Sequence, residues 1–504
     1  MRSYRTEIVA LWLVLAFGCM GFRPPPEANP AHYVSPSARV PYAQDAKDLP
    51  RGPSDATKPV LPEALSSRAM SLTLSELVDA ALDLNPSTRA AWAQAKAAAA
   101  GWAVSRSSYY PSASGALQGN AGNIPLSLGG KSYFSISAAI SYLLLDFGGR
   151  RASSESARQA LVAANWNHNQ AIQDTLRNVP QAFYALLGNK ALVRANRSSL
   201  ADAQTSLAAA DARRAAGAAT IADVLQARSN MEQARYNLAS AEGAVEISRG
   251  QLAQAIGWPA NTRFDIAAEF EGIPVKSMGD DIDGLIERAR TDRPDLNSAI
   301  AAVRKSEQDV KKARALPFPK VVGSGNMLWN VDRDHDVQNG YYGGIGIQIP
   351  LFDGFSMHNQ LRQAKAQLEA SRESLRLTEE NVVAQVWSAH FNFTTAGRQL
   401  SSAKALLSSA AESYMVSLAR YKEGATNIVE LMTTQAQLAQ ARAQVIGARQ
   451  QVYSSYAELV HAIGAGLDTP SPGEEAGAPR TGPVEVRRIE ASGDGAAGAA
   501  DSRP

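Results

Sequence analysis

SYLLLDFGGRR (residues 141–151) changes its period halfway. Before Asp146 the apolar residues recur at every second position, as in a strand with one apolar face. After Gly149 the chain reads as a long, alanine-rich helix. QIPLFDGFSMH (348–358) makes the same switch around Asp353 and Gly354. Glycines at 148, 149 and 354 are expected to permit the sharp change of backbone at these two corners.

The two corners lie 207 residues apart, and the offset is general. It carries Gly217 to Gly424, Ile221 to Ile428, Asp223 to Glu430 and the AIG at 255–257 to the AIG at 462–464; upstream, Pro86, Pro111 and Gly115 map to Pro294, Pro319 and Gly323 at an offset of 208. The chain is thus a tandem duplication, with repeats over 72–258 and 280–466. Each repeat reads as helix, strand, turn, strand, long helix and returning helix. Pro86 and Pro294 sit where a helix can begin, and Pro111, Pro317 and Pro319 end those helices. The clearest strand sets Phe134, Ile136, Ala138, Ile140, Tyr142 and Leu144 against Ser135, Ser137, Ala139 and Ser141. Its repeat mate sets Ile345, Ile347, Ile349 and Leu351 against Gly344, Gly346 and Gln348.

The long helices are expected over 149–215 and 355–422. At 1.5 Å per residue each is about 100 Å long. Pro180 predicts an interruption and a bend in the first. The returning helices carry strict seven-residue seams: Val224, Met231, Leu238, Val245 and Leu252, then Leu431, Leu438, Val445, Val452 and Leu459. Leu361, Leu368, Leu375 and Val382 repeat the pattern in the second long helix, so the helices are read as coiled coils. The fold class is mainly α, with long helical hairpins and four β-strands per chain.

Four amphipathic strands of nine to eleven residues suit a bilayer crossing, but four cannot close a barrel, and an open edge in lipid is costly. The strands therefore require sister chains. Their small polar face is expected to line a wet lumen, and their Ile/Leu/Tyr face to meet lipid.

The chain ends read differently. Arg2, Arg5 and the apolar run Ile8–Gly18 form a signal peptide over 1–18, and Cys19 is a candidate lipidation site. Residues 19–68 are a proline-rich leader, and 467–504 read as a disordered tail. No later segment holds 18 continuous apolar residues, which excludes a membrane-spanning helix in the mature chain.

Across 504 residues the 50 basic and 48 acidic side chains are mixed, for a net charge of +2, which argues against a nucleic-acid partner. No catalytic fingerprint, cofactor motif or metal-ligand spacing is present. DRDHD (332–336) resembles the start of a calcium loop, but Val337 takes the turn glycine's place and Gly343 that of the closing glutamate, so it is read as a solvated loop tip.

The stretches YLLLDFGGRRA (142–152), IPLFDGFS (349–356), RRAAGAATIADVLQA (213–227), RYKEGATNIVELMTTQAQLAQAR (420–442) and the closing AIG of each copy resemble the TolC-like outer membrane efflux proteins. The resemblance covers about 72–466 and implies a homotrimer with a twelve-stranded barrel and a twelve-helix periplasmic tunnel. It further implies docking on a periplasmic adaptor and an inner membrane pump of the RND or ABC type, and no enzymatic activity. By the same resemblance, Asp223 and Tyr421 would close the periplasmic gate through a phenol-to-carboxylate hydrogen bond, and Glu430 matches a position of an acidic ring at the entrance. Thr433 stands where a second acid is often found, and Thr426 where a basic gating residue can occur. Gly217 and Gly424 would make the tip turns, beside Ala218, Ala219 and Ala425, which are small enough for adaptor helices to approach. A periplasmic adaptor or a purely structural coiled-coil protein is the alternative. An adaptor would carry one hairpin between lipoyl-like and soluble barrel segments, and a coiled-coil protein would lack the strands.

Overall fold

The structure is a computed structural model that describes residues 71–120, 133–266, 270, 281–332 and 337–465. The signal peptide, Cys19, the leader, most of DRDHD and the C-terminal tail lie outside the described residues.

Each repeat opens with a short helix that the sequence reading did not include, ahead of the one it began at Pro86 or Pro294: α1 (Leu74–Leu84) and α5 (Ile282–Asp292). The division is made by proline. Pro86 and Pro294 are the first residues of α2 (Pro86–Ser107) and α6 (Pro294–Ala315), and a proline disfavours helical geometry in the residue before it. Asn85 and Arg293 are accordingly extended, with ψ of 124° in both. Thr73 and Glu76 cap the start of α1 reciprocally.

Four strands follow the repeat order: β1 (Ser112–Asn120), β2 (Tyr133–Leu145), β3 (Lys320–Asp332) and β4 (Val337–Gln348). They form one antiparallel sheet in that order, and the β2–β3 pairing joins the two repeats. Three of the four are longer than expected, at 13, 13 and 12 residues. The register stacks Gly115, Ala138, Met327 and Tyr341 in one row and Ala113, Ile140, Gly325 and Gly343 in another. The intervening rows hold Ser114, Ala139, Asn326 and Tyr342, then Ser112, Ser141, Ser324 and Gly344. Side chains alternate between faces along a strand, so one face of the sheet is largely apolar and the other small and polar.

The helical part comprises α3 (Gly149–Ala215), α4 (Ile221–Ile256), α7 (Ser356–Glu423) and α8 (Ile428–Ala462). α3 is one continuous helix with Pro180 inside it, so the expected interruption does not occur. The lost backbone hydrogen bond is tolerated where Val179 and Phe183, on either side, are buried in a core shared with α1 and α4. The heptad seams hold in part: Val224, Val245, Leu252, Leu431, Leu438, Val445, Val452, Leu459 and Val382 are buried, whereas Met231, Leu238, Leu361, Leu368 and Leu375 are half-buried in the single chain.

Near the sheet the helices stand in the order α2–α3–α6–α7, and away from it in the order α4–α3–α8–α7. Both orders match that of the strands. Each chain is therefore a slab with two open flanks among the described residues, one formed by β1, α2 and α4 and the other by β4 and α7. Large apolar side chains stand exposed on both, including Leu225, Tyr236 and Ile247 on α4 and Trp387, Phe391 and Val416 on α7.

Candidate functional site

The far ends of the two helical hairpins come together in a tip. Gly217 and Gly424 make its turns with φ of +73° and +81°, a region costly for other residues, as expected of them. Ala218 and Ala425 beside them are exposed and Ala219 is half-buried.

Arg213, which the sequence reading passed over, ties the two turns together. Its guanidinium donates to the Ala218 carbonyl of its own turn at 3.1 Å and, across the hairpins, to the carbonyls of Tyr421 at 2.6 Å and Thr426 at 3.4 Å. It also lies over the Tyr421 ring, 4.7 Å from the centroid. Arg420 is its repeat mate. It holds its own turn in the same way, donating to the Ala425 carbonyl at 3.3 Å, but its other nitrogen pairs with Glu430 at 3.0 Å.

The expected Asp223–Tyr421 hydrogen bond is not formed. Asp223 accepts instead from the backbone N–H of Thr220 at 2.8 Å and from its hydroxyl at 3.0 Å, completing a capping box at the start of α4. The Tyr421 hydroxyl is buried with no hydrogen-bond partner among the described residues. Burial pushes its pKa up; the Asp223 charge adds to this, and Arg213 opposes it. Asp223 thus acts on the phenol through space while its oxygens serve the local helix. Glu430 is no free ring carboxylate in the single chain either: it is held by Arg420 and accepts from the Thr426 hydroxyl. Thr433 is exposed and donates to the Val429 carbonyl at 2.8 Å.

Below the tip, α3 and α8 share a seam with partly buried polar links. Arg442 pairs with Asp202 at 2.6 Å and reaches Ser199 at 3.3 Å; the Tyr414 hydroxyl donates to the Asp202 carbonyl at 3.3 Å. One turn on, Ser206 donates to Gln435 at 3.0 Å in full burial. Closer to the sheet, His461 meets Asp174 at 2.9 Å, and Gln181 donates to Glu458 at 3.0 Å. The His461 hydrogen bond holds the Asp174 carboxyl below its usual range against the opposing effect of burial. Partners more than 200 residues apart leave no local sequence signal.

At the corners, the left-handed residues are Phe147 and Gly148 in the first repeat and Gly354 and Phe355 in the second. Gly149 is not among them, contrary to expectation. It is needed for space: a Cβ there would lie 2.9 Å from an Asp146 carboxylate oxygen. That carboxylate accepts from the Arg150 backbone N–H, as Asp353 accepts from Met357 N–H at 2.6 Å, so each aspartate caps the long helix that follows it. Arg150 completes the first corner by donating to the carbonyls of Leu143 at 2.6 Å and Leu144 at 3.1 Å, at the β2 bulge, and of Ser108 at 3.3 Å, at the end of α2.

Among the described residues no helix is long and apolar enough to cross a membrane, and no group of side chains is arranged to hold a metal ion. The pattern of the family described as outer membrane efflux protein matches residues 77–258 and 285–465, one span for each repeat. The chain is 28 % identical to protein CyaE of Bordetella pertussis over 332 residues, which is 64 % of this chain and 70 % of that protein. It is 27 % identical to outer membrane protein OprJ of Pseudomonas aeruginosa over 419 residues, covering 78 % and 84 %. Among solved structures, the outer membrane protein VceC of Vibrio cholerae superposes with a TM-score of 0.70 at 19 % identity, over 78 % of this chain and 97 % of that one.

Proposed function

The chain belongs to the outer membrane efflux protein family, and from that premise we propose that three copies close into one passive export duct, shut at its periplasmic tip and opened by partners. The chain is an outer membrane channel; its copy number, its partners and its gate are the proposal. The observation that carries the reading is the shared order of strands and helices, which leaves one open flank at each side of a slab that has four strands and two hairpins. A head-to-tail contact between unlike flanks generates a ring. Three such slabs supply twelve strands, above the minimum for a closed membrane barrel, and remove every open edge from lipid.

The polar sheet face then lines the lumen, and the row of Ala113, Ile140, Gly325 and Gly343 faces lipid. The tip turns, with Gly217, Gly424 and the small residues beside them, form the surface offered to a periplasmic adaptor, which links the duct to an inner membrane pump of the RND or ABC type. Arg213 and Arg420 hold the shape of that surface. The test is migration of the protein from outer membrane fractions on gels with and without heating, together with conductance of the purified protein in planar bilayers. A heat-sensitive trimer that forms narrow channels is expected. A water-soluble monomer without conductance would sink the proposal.

A further inference from the structure

The strand-to-helix corners carry an unbalanced charge. Four helix ends stand there: the C-terminal ends of α2 and α6 and the N-terminal ends of α3 and α7. Within six residues of those ends are seven arginines and lysines against two carboxylates, Glu155 and Asp309. Both carboxylates are held by cations further from the sheet, Glu155 by Arg158 and Asp309 by Lys305, each at 2.7 Å. The same window at the tip ends of the long hairpins holds four basic and four acidic residues. The imbalance therefore belongs to the corners and not to helix ends in general.

Arg106, Arg151, Lys311, Lys312, Arg314 and Arg362 are exposed, and none shares an ion pair among the described residues. Lys311 acts on Glu155 only through space. The seventh, Arg150, is spent on the corner itself. Cations at the ends of α2 and α6 suit the helix dipole, but Arg151 lies in the first turn of α3, where the dipole repels a positive charge. An anion outside the chain would offset that repulsion.

Depth identifies the anion. Exposed Tyr110, Phe318, Phe352 and Phe355 stand between the strand feet and the helices, as aromatic residues do at a membrane–water boundary. Six residues of helix reach about 9 Å beyond them, and the headgroup layer is about 5–8 Å deep. The cations thus lie at the depth of lipid phosphates, where long side chains can rest their stems on apolar surface and extend their charged ends into that layer. Anionic cargo would call for charge along the duct, yet the polar face of the sheet has none in the rows from Ser112 to Gly344 and from Ser114 to Tyr342. We propose that the four helix ends of each chain form a basic collar that binds anionic phospholipid headgroups of the periplasmic leaflet. This rests on the duct reading above, which puts the strands in lipid.

The test counts the lipid kept by the purified protein. Incubated in detergent with equal amounts of phosphatidylglycerol and phosphatidylcholine of identical chains and then washed, the protein is expected to retain phosphatidylglycerol in several-fold excess. That excess should vanish at about 0.5 M salt. Lys311→Gln with Lys312→Gln and Arg314→Gln is expected to remove most of it, and Arg214→Gln with Lys422→Gln, the same kind of change at the tip, to leave it. No excess on the unmodified protein, or an equal loss in both variants, overturns the inference. In planar bilayers of phosphatidylcholine alone, the triple variant is expected to keep the ion selectivity of the unmodified protein. A changed selectivity with lipid retention intact would place these cations on the duct and also overturn it. Failure of the unmodified protein to enter bilayers of either lipid would instead remove the duct reading, and the collar with it.

Discussion

Arg213 donates to the Tyr421 carbonyl at 2.6 Å, although 208 residues separate them in the chain. That bond joins the end of the first long helix to the end of the second, and the same guanidinium satisfies the Thr426 carbonyl on the far side of the turn. A planar fork with several donors suits carbonyls that diverge in this way; an ammonium does not. Arg213→Ala is therefore expected to speed hydrogen exchange at amides 421–427, and Arg213→Lys to restore only part of the protection. Equal exchange in all three proteins would show that the tip is held by its apolar seam alone.

Arg150 holds the first corner by four contacts: the Leu143, Leu144 and Ser108 carbonyls and the Tyr109 ring. The second corner has Met357 at the equivalent position and lacks this device. Hydrogen bonds from a charged donor contribute about 1.5–3 kcal/mol each where they are sheltered. Arg150→Ala is expected to lower the temperature at which trimers dissociate on gels, and Met357→Ala to lower it less. The reverse order would count against an anchoring role for Arg150.

Much of this architecture is legible in the chain itself because its signals are periodic. The heptads that begin at Val224 and Leu431 and the alternation from Ile136 to Leu144 each repeat a local preference many times, and the duplication states each twice. The polar site is less legible for two physical reasons. The partners of Arg213, Arg442 and His461 are set by how two coiled coils dock, which no window of sequence contains. At Asp223 the local rule competes with the family resemblance, since a carboxylate three residues after Thr220 serves the helix start before it can reach across to a tyrosine. α1 itself was within reach, because an amphipathic eleven-residue run with its own capping box precedes Pro86.

Asp174 makes the α3–α8 seam sensitive to acid. Its folded pKa is depressed, chiefly by the His461 hydrogen bond. Such a group contributes stability that is fully present above the unfolded carboxylate pKa, about 3.9, and is lost as pH falls through the lower folded value. The dissociation temperature of the proposed trimer should therefore fall when pH drops below about 4, and Asp174→Asn should remove part of that dependence while lowering the temperature near neutrality. An identical acid profile for the variant would show that other carboxylates govern it.

Tyr421 and Asp223 can be separated by single substitutions, because the structure assigns them independent duties. The Tyr421 hydroxyl is buried without a hydrogen bond, so Tyr421→Phe removes an unsatisfied group and keeps the ring beneath Arg213. It is expected to leave trimer stability unchanged or slightly raised, and tip exchange unaltered. Asp223→Ala removes the acceptor in the Thr220 capping box and should cost about 1 kcal/mol, with faster exchange confined to the first turn of α4. A double variant should then show the sum of the two effects, since the side chains share no bond. A clear departure from additivity, with Tyr421→Phe as damaging as Asp223→Ala, would mean that the phenol and the carboxylate meet in the assembled duct after all.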